Sequence, residues 1–103
     1  MVISKFNNLV TIINVFTVEA ADQQVLLDLI LSAAGGLMKN IPGFLSAGLH
    51  KSLSANRIIL YLQWKNMREY QAMLEDANYK SFMEKAHMIA ICEPAIYQVV
   101  ETY

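Results

Sequence analysis

The fold is decided by residues 44–64, FLSAGLHK-SLSAN-RIILYLQW, which hold two apolar runs on either side of a short polar connection. The runs Phe44–Lys51 and Arg57–Trp64 have the length and the apolar content that are typical of β-strands. Residues 52–56 form a connection of the length that hairpins use. The sequence therefore predicts an antiparallel hairpin at the centre of the chain.

A helical region is predicted directly after the hairpin. Asn66 followed three residues later by Glu69 has the form of a capping box, in which a side-chain oxygen accepts from a free backbone N–H. Apolar residues then recur at helical spacing, and Asp76 or Asn78 can start the helix again. Two consecutive helical stretches are the expected result.

The outer parts of the chain complete the pattern. Residues 9–18 are rich in β-branched side chains and predict a first strand. Asp22 offers an N-terminal cap to a first helix that should end before Pro42-Gly43. Since proline lacks a backbone N–H, Glu93-Pro94 is predicted to end the last helix, which leaves residues 95–102 as the final strand.

The order of these elements is β-α-β-β-α-β, which predicts a ferredoxin-like α+β fold. Its four-stranded antiparallel sheet would carry the helices on one face. A chain of 103 residues is long enough for one hydrophobic core, so residues 1–103 are expected to form a single domain.

Both faces of the predicted sheet are apolar. Successive residues of a strand point to opposite faces, so Ile58 and Leu60 oppose Ile59 and Tyr61. The helices cover one face only, and the other would expose a larger apolar patch than monomers usually show. We therefore expect a homodimer packed sheet against sheet; the alternative is that residues 1–8 fold back over this face.

Charge and composition exclude several functional classes. The 8 basic and 9 acidic side chains give a net charge of -1, which provides no field for nucleic acid. One cysteine, Cys92, allows neither an internal disulfide nor a cysteine cluster for a metal, and it favours a reducing, cytoplasmic compartment. We expect no targeting or membrane-spanning segment. The sequence also lacks a Gly-rich phosphate loop, metal-ligand spacing and a nucleophile elbow.

Two segments carry a family resemblance: PGFLSAGLHKS at residues 42–52 and LYLQWKNMREYQAML at residues 60–74. Their shared pattern is a Pro-Gly-Phe start, an apolar strand, a turn, a strand that ends in Gln-Trp, and a helix. This pattern resembles the antibiotic biosynthesis monooxygenase family, and the likeness extends to the strand around residues 93–97. The resemblance implies a dimeric α+β barrel. Some members oxidise polycyclic phenols to quinones with molecular oxygen and neither metal nor flavin, others degrade haem, and many have no assigned reaction.

In the quinone-forming members the resemblance implies a strand ending Asn-Tyr-x-Gln-Trp, whose Asn and Trp line the substrate cavity, and a Tyr one helical turn later. Trp64 and Tyr70 match this pattern. Leu60 stands where those members have the Asn. The chain therefore lacks, at that position, an amide that could hold a developing oxyanion.

In the haem-degrading members the resemblance implies a first-strand Asn, a helix Trp and a helix His that ligates iron. Asn14 matches the first of these, while Met73 and Met83 stand at the other two positions. His87 lies one helical turn beyond Met83. Unless a shifted helix presents His87, haem has no conventional ligand.

Three residues are candidates for catalysis: Asn14, Tyr70 and His87. Asn14 interrupts an apolar strand, and a buried amide must find hydrogen bonds to protein, water or a ligand. Imidazole titrates near neutral pH and makes His87 a natural proton acceptor, with a surface histidine as the alternative. Tyr70 has core packing as its alternative role.

A further set of apolar and aromatic residues is predicted to line a ligand site, with core packing as the alternative for each: Leu60, Tyr61, Trp64, Met73, Phe82 and Met83. The leading hypothesis is a cytoplasmic homodimer that oxidises a planar phenolic or quinol-like molecule with oxygen and uses no cofactor or metal. The alternatives are a non-catalytic small-molecule-binding or stress-associated dimer, and a haem-binding or haem-degrading relative.

Overall fold

The computed structural model of the chain describes residues 9–37 and 40–103. The elements in these residues, with a short 3-10 turn at Ala20–Asp22 between the first two, are β1 Val10–Val18, α1 Gln23–Leu37, β2 Phe44–Lys51, β3 Arg57–Trp64, α2 Met67–Glu75, α3 Ala77–His87 and β4 Ala90–Tyr97. The strands form one antiparallel sheet in the order β2-β3-β1-β4. This confirms the ferredoxin-like α+β class.

The central hairpin has the bounds that its sequence predicts. Ser52 closes the loop, because its backbone N–H donates to Arg57 O at 2.9 Å and its Oγ donates to the same oxygen at 3.1 Å. The first strand of the hairpin carries an irregularity at Leu45, where the register shifts between Phe44 and Ser46.

The caps of α2 and α3 are also as predicted. Asn66 Oδ1 accepts from the Glu69 backbone N–H at 3.0 Å and starts α2. Asp76 Oδ1 accepts from the backbone N–H groups of Asn78 and Tyr79 at 2.8 and 3.2 Å and starts α3. These bonds satisfy amides that a helix start leaves without an intrahelical partner.

Two predicted boundaries are wrong. Asp22 is not the N-cap of the first helix. It is the last residue of the 3-10 turn that runs directly into α1, and the N-cap of that turn is Glu19. The final strand starts at Ala90 and not at residue 95, so Pro94 lies inside β4 and α3 ends at His87. A proline fits there because β4 is an edge strand, and the side of Pro94 without an N–H can face away from the sheet.

The helices cover the sheet face that carries the even-numbered residues of β1 and β3. Ile12, Phe16 and Ile58 are buried there against Leu26 of α1 and Phe82 of α3. We call this the helix-facing side. In the described part of the chain, none of the helices is long and apolar enough to cross a membrane.

The opposite side of the sheet, which we call the second face, is also largely apolar. Ile13, Val15 and Tyr61 are half-buried there, while Ile59 is 37 % exposed and Ile91 is 64 % exposed. At one end of this face, Gln63 Nε2 donates to Thr11 Oγ1 at 3.2 Å, and both residues are buried. The alternative cover for this face, residues 1–8, lies outside the described residues.

Candidate functional site

Asn14 lies at the middle of the helix-facing side. It pairs with Leu60 of β3 and with Pro94 of β4, and it is 5 % exposed. Its Oδ1 is buried and accepts no hydrogen bond from the described residues. A buried acceptor left in this way costs about 1 to 3 kcal/mol, so the fold alone does not explain why an amide is kept here.

Trp64 lies on the same side, at the end of β3. Its ring is fully buried, makes an edge-to-face contact with Phe44 at 5.6 Å between ring centroids, and lies 6.3 Å from the ring of Tyr70. The indole Nε1 is buried and donates to no acceptor in the part of the chain that the structure describes. Indole N–H groups usually find a partner when they are buried.

The spacing between these two residues gives the site its length. Asn14 is opposite Leu60, and Trp64 follows Leu60 by four residues along β3. Four residues of strand extend over roughly 13 Å. Asn14 and Trp64 therefore lie at separate points along the same side of the sheet.

Two phenols and a thiol lie on the helix side of the same region. Burial raises the pKa of Tyr70 and of Cys92. The pKa of Tyr79 is raised to about 12, first by burial and then by the nearness of Tyr70 and Cys92. These groups stay protonated at neutral pH, and they can donate hydrogen bonds there.

Contacts within α3 and with its N-cap hold Tyr79 in place. Its backbone N–H donates to the carboxylate of Asp76, which starts α3, and its ring lies 6.1 Å from the ring of Phe82. Cys92 comes from β4, where it is opposite Phe16 and faces the helices. The cluster therefore joins α2, α3 and β4 on one side of the sheet.

Most of the predicted lining residues are found on this side. Leu60, Met73 and Phe82 are buried in the core cluster, and Met83 packs against it. Trp64 and Tyr70 belong to the same packed cluster, on the side of the sheet that also carries Asn14. Tyr61 is not part of this group, since it is opposite Ile13 on the second face.

The structure separates His87 from Asn14 and Trp64. His87 is exposed in the last turn of α3 and lines a recess of about 480 Å³ with Thr17, Val18 and Glu19. That recess lies at the end of β1, whereas Trp64 pairs with Val10 at its start, roughly 26 Å of strand away. Asn14 lies roughly 10 Å of strand from the recess and does not line it, so the structure does not bring together the Asn–His pair that the haem-degrading resemblance implies.

Two recesses lie between α1 and α3. Their volumes are about 460 and 220 Å³, and Ser32, Ala33 and Asn78 line both. Phe82 lines the smaller recess, and its ring lies 6.1 Å from the ring of Tyr79. Among the described residues, no group of three or more His, Cys, Asp or Glu side chains is placed to hold a metal ion.

Sequence reasoning missed Tyr79 and Cys92 as site residues. Tyr79 could have been found, because it lies three residues before Phe82 on the same helix stripe. Cys92 was hidden by the misplaced final strand, which assigned it to a helix end. Only the register of β4 shows that it points towards the helices.

The sequence of the chain is similar to one protein family and to a protein with a named activity. The sequence profile of one family, described as antibiotic biosynthesis monooxygenase, matches residues 9–85. Tetracenomycin-F1 monooxygenase of Streptomyces glaucescens is 27% identical over 101 residues, which cover 98% of this chain and 90% of that protein.

Solved structures share the fold. A crystal structure of a variant of SnoaB, described as a cofactor-independent oxygenase from Streptomyces nogalater, superposes with a TM-score of 0.84 at 18% identity and covers 92% of this chain and 96% of that one. Rv0793 from Mycobacterium tuberculosis superposes with a TM-score of 0.81 at 11% identity and covers 91% of this chain and 97% of that one.

Proposed function

Since the chain belongs to the antibiotic biosynthesis monooxygenase family, we propose that it oxidises a planar phenolic or quinol-like molecule with molecular oxygen and without a metal or flavin. The observation that carries this proposal is the pair of buried polar atoms, Asn14 Oδ1 and Trp64 Nε1, on one side of the sheet with no partner among the described residues. A ligand with a hydroxyl at one end and an oxygen acceptor at the other would satisfy both. The activities named for two similar proteins, a monooxygenase and a cofactor-independent oxygenase, support the same class of reaction, oxidation with molecular oxygen.

In this proposal the protein holds and orients the ligand, and the ligand itself reacts with oxygen. Trp64 and Phe82 would pack on the rings, and Asn14 would hold one polar edge. The ionised ligand is electron-rich and reduces oxygen itself. For an anthrone, one oxygen atom becomes the new carbonyl, and the other leaves as water with the two hydrogens of the oxidised methylene. The substrate supplies all four electrons, so no external reductant is needed.

Oxygen uptake with a panel of anthrones and hydroquinones tests the proposal. We expect Asn14→Ala to slow uptake by about 10-fold, because the buried acceptor that would hold the ligand's hydroxyl has been removed. Trp64→Phe keeps the packing surface and removes the N–H, and it should slow uptake by about 10-fold or more. Gln71→Ala removes an exposed amide on α2 and serves as the matched control.

Uptake no faster than in buffer for every compound would contradict the oxidase proposal. The second candidate, a small-molecule binder without turnover, is favoured by Leu60 in the position where the quinone-forming relatives have an amide. Saturable binding of the same compounds without oxygen uptake would support it.

The proposal includes a homodimer. The exposed apolar side chains of the second face, Ile59 and Ile91 among them, lie on a sheet surface that the three helices leave open. Pairing with a second copy would bury this surface. Many homodimers have twofold symmetry and form by packing the same surface of each copy against the other. The free thiol of Cys92 supports a reducing, cytoplasmic location as part of the same proposal.

A further inference from the structure

We infer that the larger of the two recesses between α1 and α3 binds a neutral polyhydroxylated ligand, such as a sugar. Its volume of about 460 Å³ lies within the range of about 300 to 1,000 Å³ that is typical of small-molecule sites. Neither Asn14 nor Trp64 lines it, so this second site goes beyond the proposed oxidation. We call it the polar recess; the described residues that line it are Ser32, Ala33, Gly36, Asn40, Ile41, Asp76 and Asn78.

Gly36 leaves one wall of the polar recess without a side chain. A Cβ built on Gly36 meets nothing within 4 Å, so packing does not exclude a larger residue there. Glycine inside a helix lowers the stability of that helix relative to alanine. The fold alone therefore does not explain Gly36, whereas a ligand that approaches the helix backbone does. Gly35 has equally open surroundings but does not line the recess.

The polar side chains of the recess can both donate and accept hydrogen bonds. The hydroxyl of Ser32 and the side-chain amide of Asn78 each offer both functions, and neither bonds to another described residue. Asn40 Nδ2 donates to Gly36 O at 2.6 Å, which leaves Asn40 Oδ1 as a further acceptor. Each hydroxyl of a polyol also donates and accepts, so neighbouring hydroxyls match this set of groups.

The charge of the recess disfavours an anionic ligand. Asp76 Oδ1 accepts from the backbone N–H groups of Asn78 and Tyr79, at 2.8 and 3.2 Å. These are the amides with which the start of α3 could otherwise hold a phosphate or sulfate. No Lys, Arg or His is found among the described residues of the recess to replace them.

The same residues give little support for a metal ion. Asp76 is the single carboxylate among the described lining residues, and the neighbouring Glu75 is paired with Lys80 at 3.1 Å. Hard cations such as Ca²⁺ need six or more oxygen ligands, usually with several carboxylates among them. A neutral ligand that bonds to amides and hydroxyls is therefore the class that fits.

Apolar groups complete the recess. Ala33 and Ile41 are half-buried and pack against the hydrophobic core, so they present a fixed apolar surface. A sugar ring has apolar C–H faces between its hydroxyls, and such a face can pack on this surface while the hydroxyls meet the polar groups. The smaller recess of about 220 Å³ adjoins at Ser32, Ala33 and Asn78 and gives room for a substituent on the ring.

Titration of isotope-labelled protein with the methyl glycosides of glucose, mannose and galactose tests the inference through backbone amide chemical shifts. We expect saturable shifts at Gly36, Asn40 and Asn78 for at least one glycoside. The Kd should be on the order of 10 mM, because a few hydrogen bonds in an open recess bind weakly. Tetrahydropyran has the ring without the hydroxyls and should cause no saturable shift, and neither should inorganic phosphate or tetramethylammonium.

Two pairs of variants locate the binding. Gly36→Leu places a side chain at the wall of the recess and should weaken binding by about tenfold or more. Gly35→Leu makes the same change one residue away, outside the recess, and is the matched control. Asn78→Ala removes one amide and should weaken binding by about fivefold. Its control is Gln71→Ala, which removes an exposed amide outside the recess.

Several results would overturn the inference. These are the absence of a saturable shift with every glycoside, shifts centred elsewhere, equal losses in Gly36→Leu and Gly35→Leu, and tetrahydropyran or either ion binding as tightly as the glycosides. Leucine favours helices more than glycine does, so both leucine variants should fold. Thermal melts check this, and Asn78→Ala decides if Gly36→Leu does not fold. Trp64→Phe should leave glycoside binding unchanged, so failure of the proposed oxidation and failure of this inference are separate results.

Discussion

At the scale of single residues, Asn14 separates function from stability. Replacing it with valine removes the buried acceptor and places a β-branched side chain in a strand, so Asn14→Val should raise the free energy of unfolding by about 1 kcal/mol while weakening ligand binding. Urea denaturation measures the change. Thr11→Val is the matched control: its hydroxyl accepts from Gln63 Nε2, and its loss should lower stability by about 1 kcal/mol. Equal losses in both variants would show that Asn14 is structural.

Tyr79 makes a prediction about alkaline stability. Its pKa is higher in the folded chain than the ordinary value of 10.0, so the folded state holds the proton more tightly than the unfolded state. The resulting stabilisation is complete below pH 10 and is lost as the pH rises towards 12. Urea denaturation at pH 8 and at pH 11 should therefore show a smaller alkaline loss for Tyr79→Phe than for the parent chain. The same loss in both would place Tyr79 in solvent.

A residue of the site could be predicted from the sequence when its neighbours in the same strand or helix indicate its role. Asn14 is visible as a polar residue in an apolar strand, and Trp64 as the end of a strand with a family likeness. The position of His87 relative to them was not predictable, because it depends on where α3 ends and on which end of β1 it reaches. That is a property of the assembled fold.

At the scale of elements, α1 contains two glycines that packing does not require. A Cβ built on Gly35 or Gly36 meets nothing within 4 Å. Gly35→Ala should therefore raise the free energy of unfolding by about 1 kcal/mol through helix propensity alone. Gly43→Ala is the contrasting variant, since Gly43 has a φ of 86° and an added Cβ would collide with the side chain of Glu69. Thermal melts compare them; a destabilising Gly35→Ala would mean that α1 needs its glycine.

The elements whose ends are set by nearby residues were predicted well. The hairpin strands have the expected bounds, and Asn66 and Asp76 cap helices because each side chain reaches a backbone amide two or three residues away. β4 was misplaced because Pro94 usually interrupts regular structure. Its place at an edge, which sequence patterning does not reveal, makes the proline harmless.

At the scale of the whole molecule, the apolar second face predicts the state of assembly. Light scattering should report a particle of twice the chain mass of 11.6 kDa. Ile59→Lys places a charge in the middle of this face and should shift the particle towards the monomer. Val25→Lys is the control, because Val25 is exposed on α1 and does not lie on the second face. A monomeric parent chain would contradict the dimer.

The central claim is that a planar ligand binds between the sheet and the helices beside Trp64 and Asn14. Trp64 is the single tryptophan of the chain, so its fluorescence reports on this site. Titration with 2-hydroxyanthraquinone should quench that fluorescence to saturation at one molecule per chain, and Asn14→Val should weaken the binding by about tenfold through the loss of one hydrogen bond. Quenching that does not saturate, or that is the same in Asn14→Val, would contradict the claim.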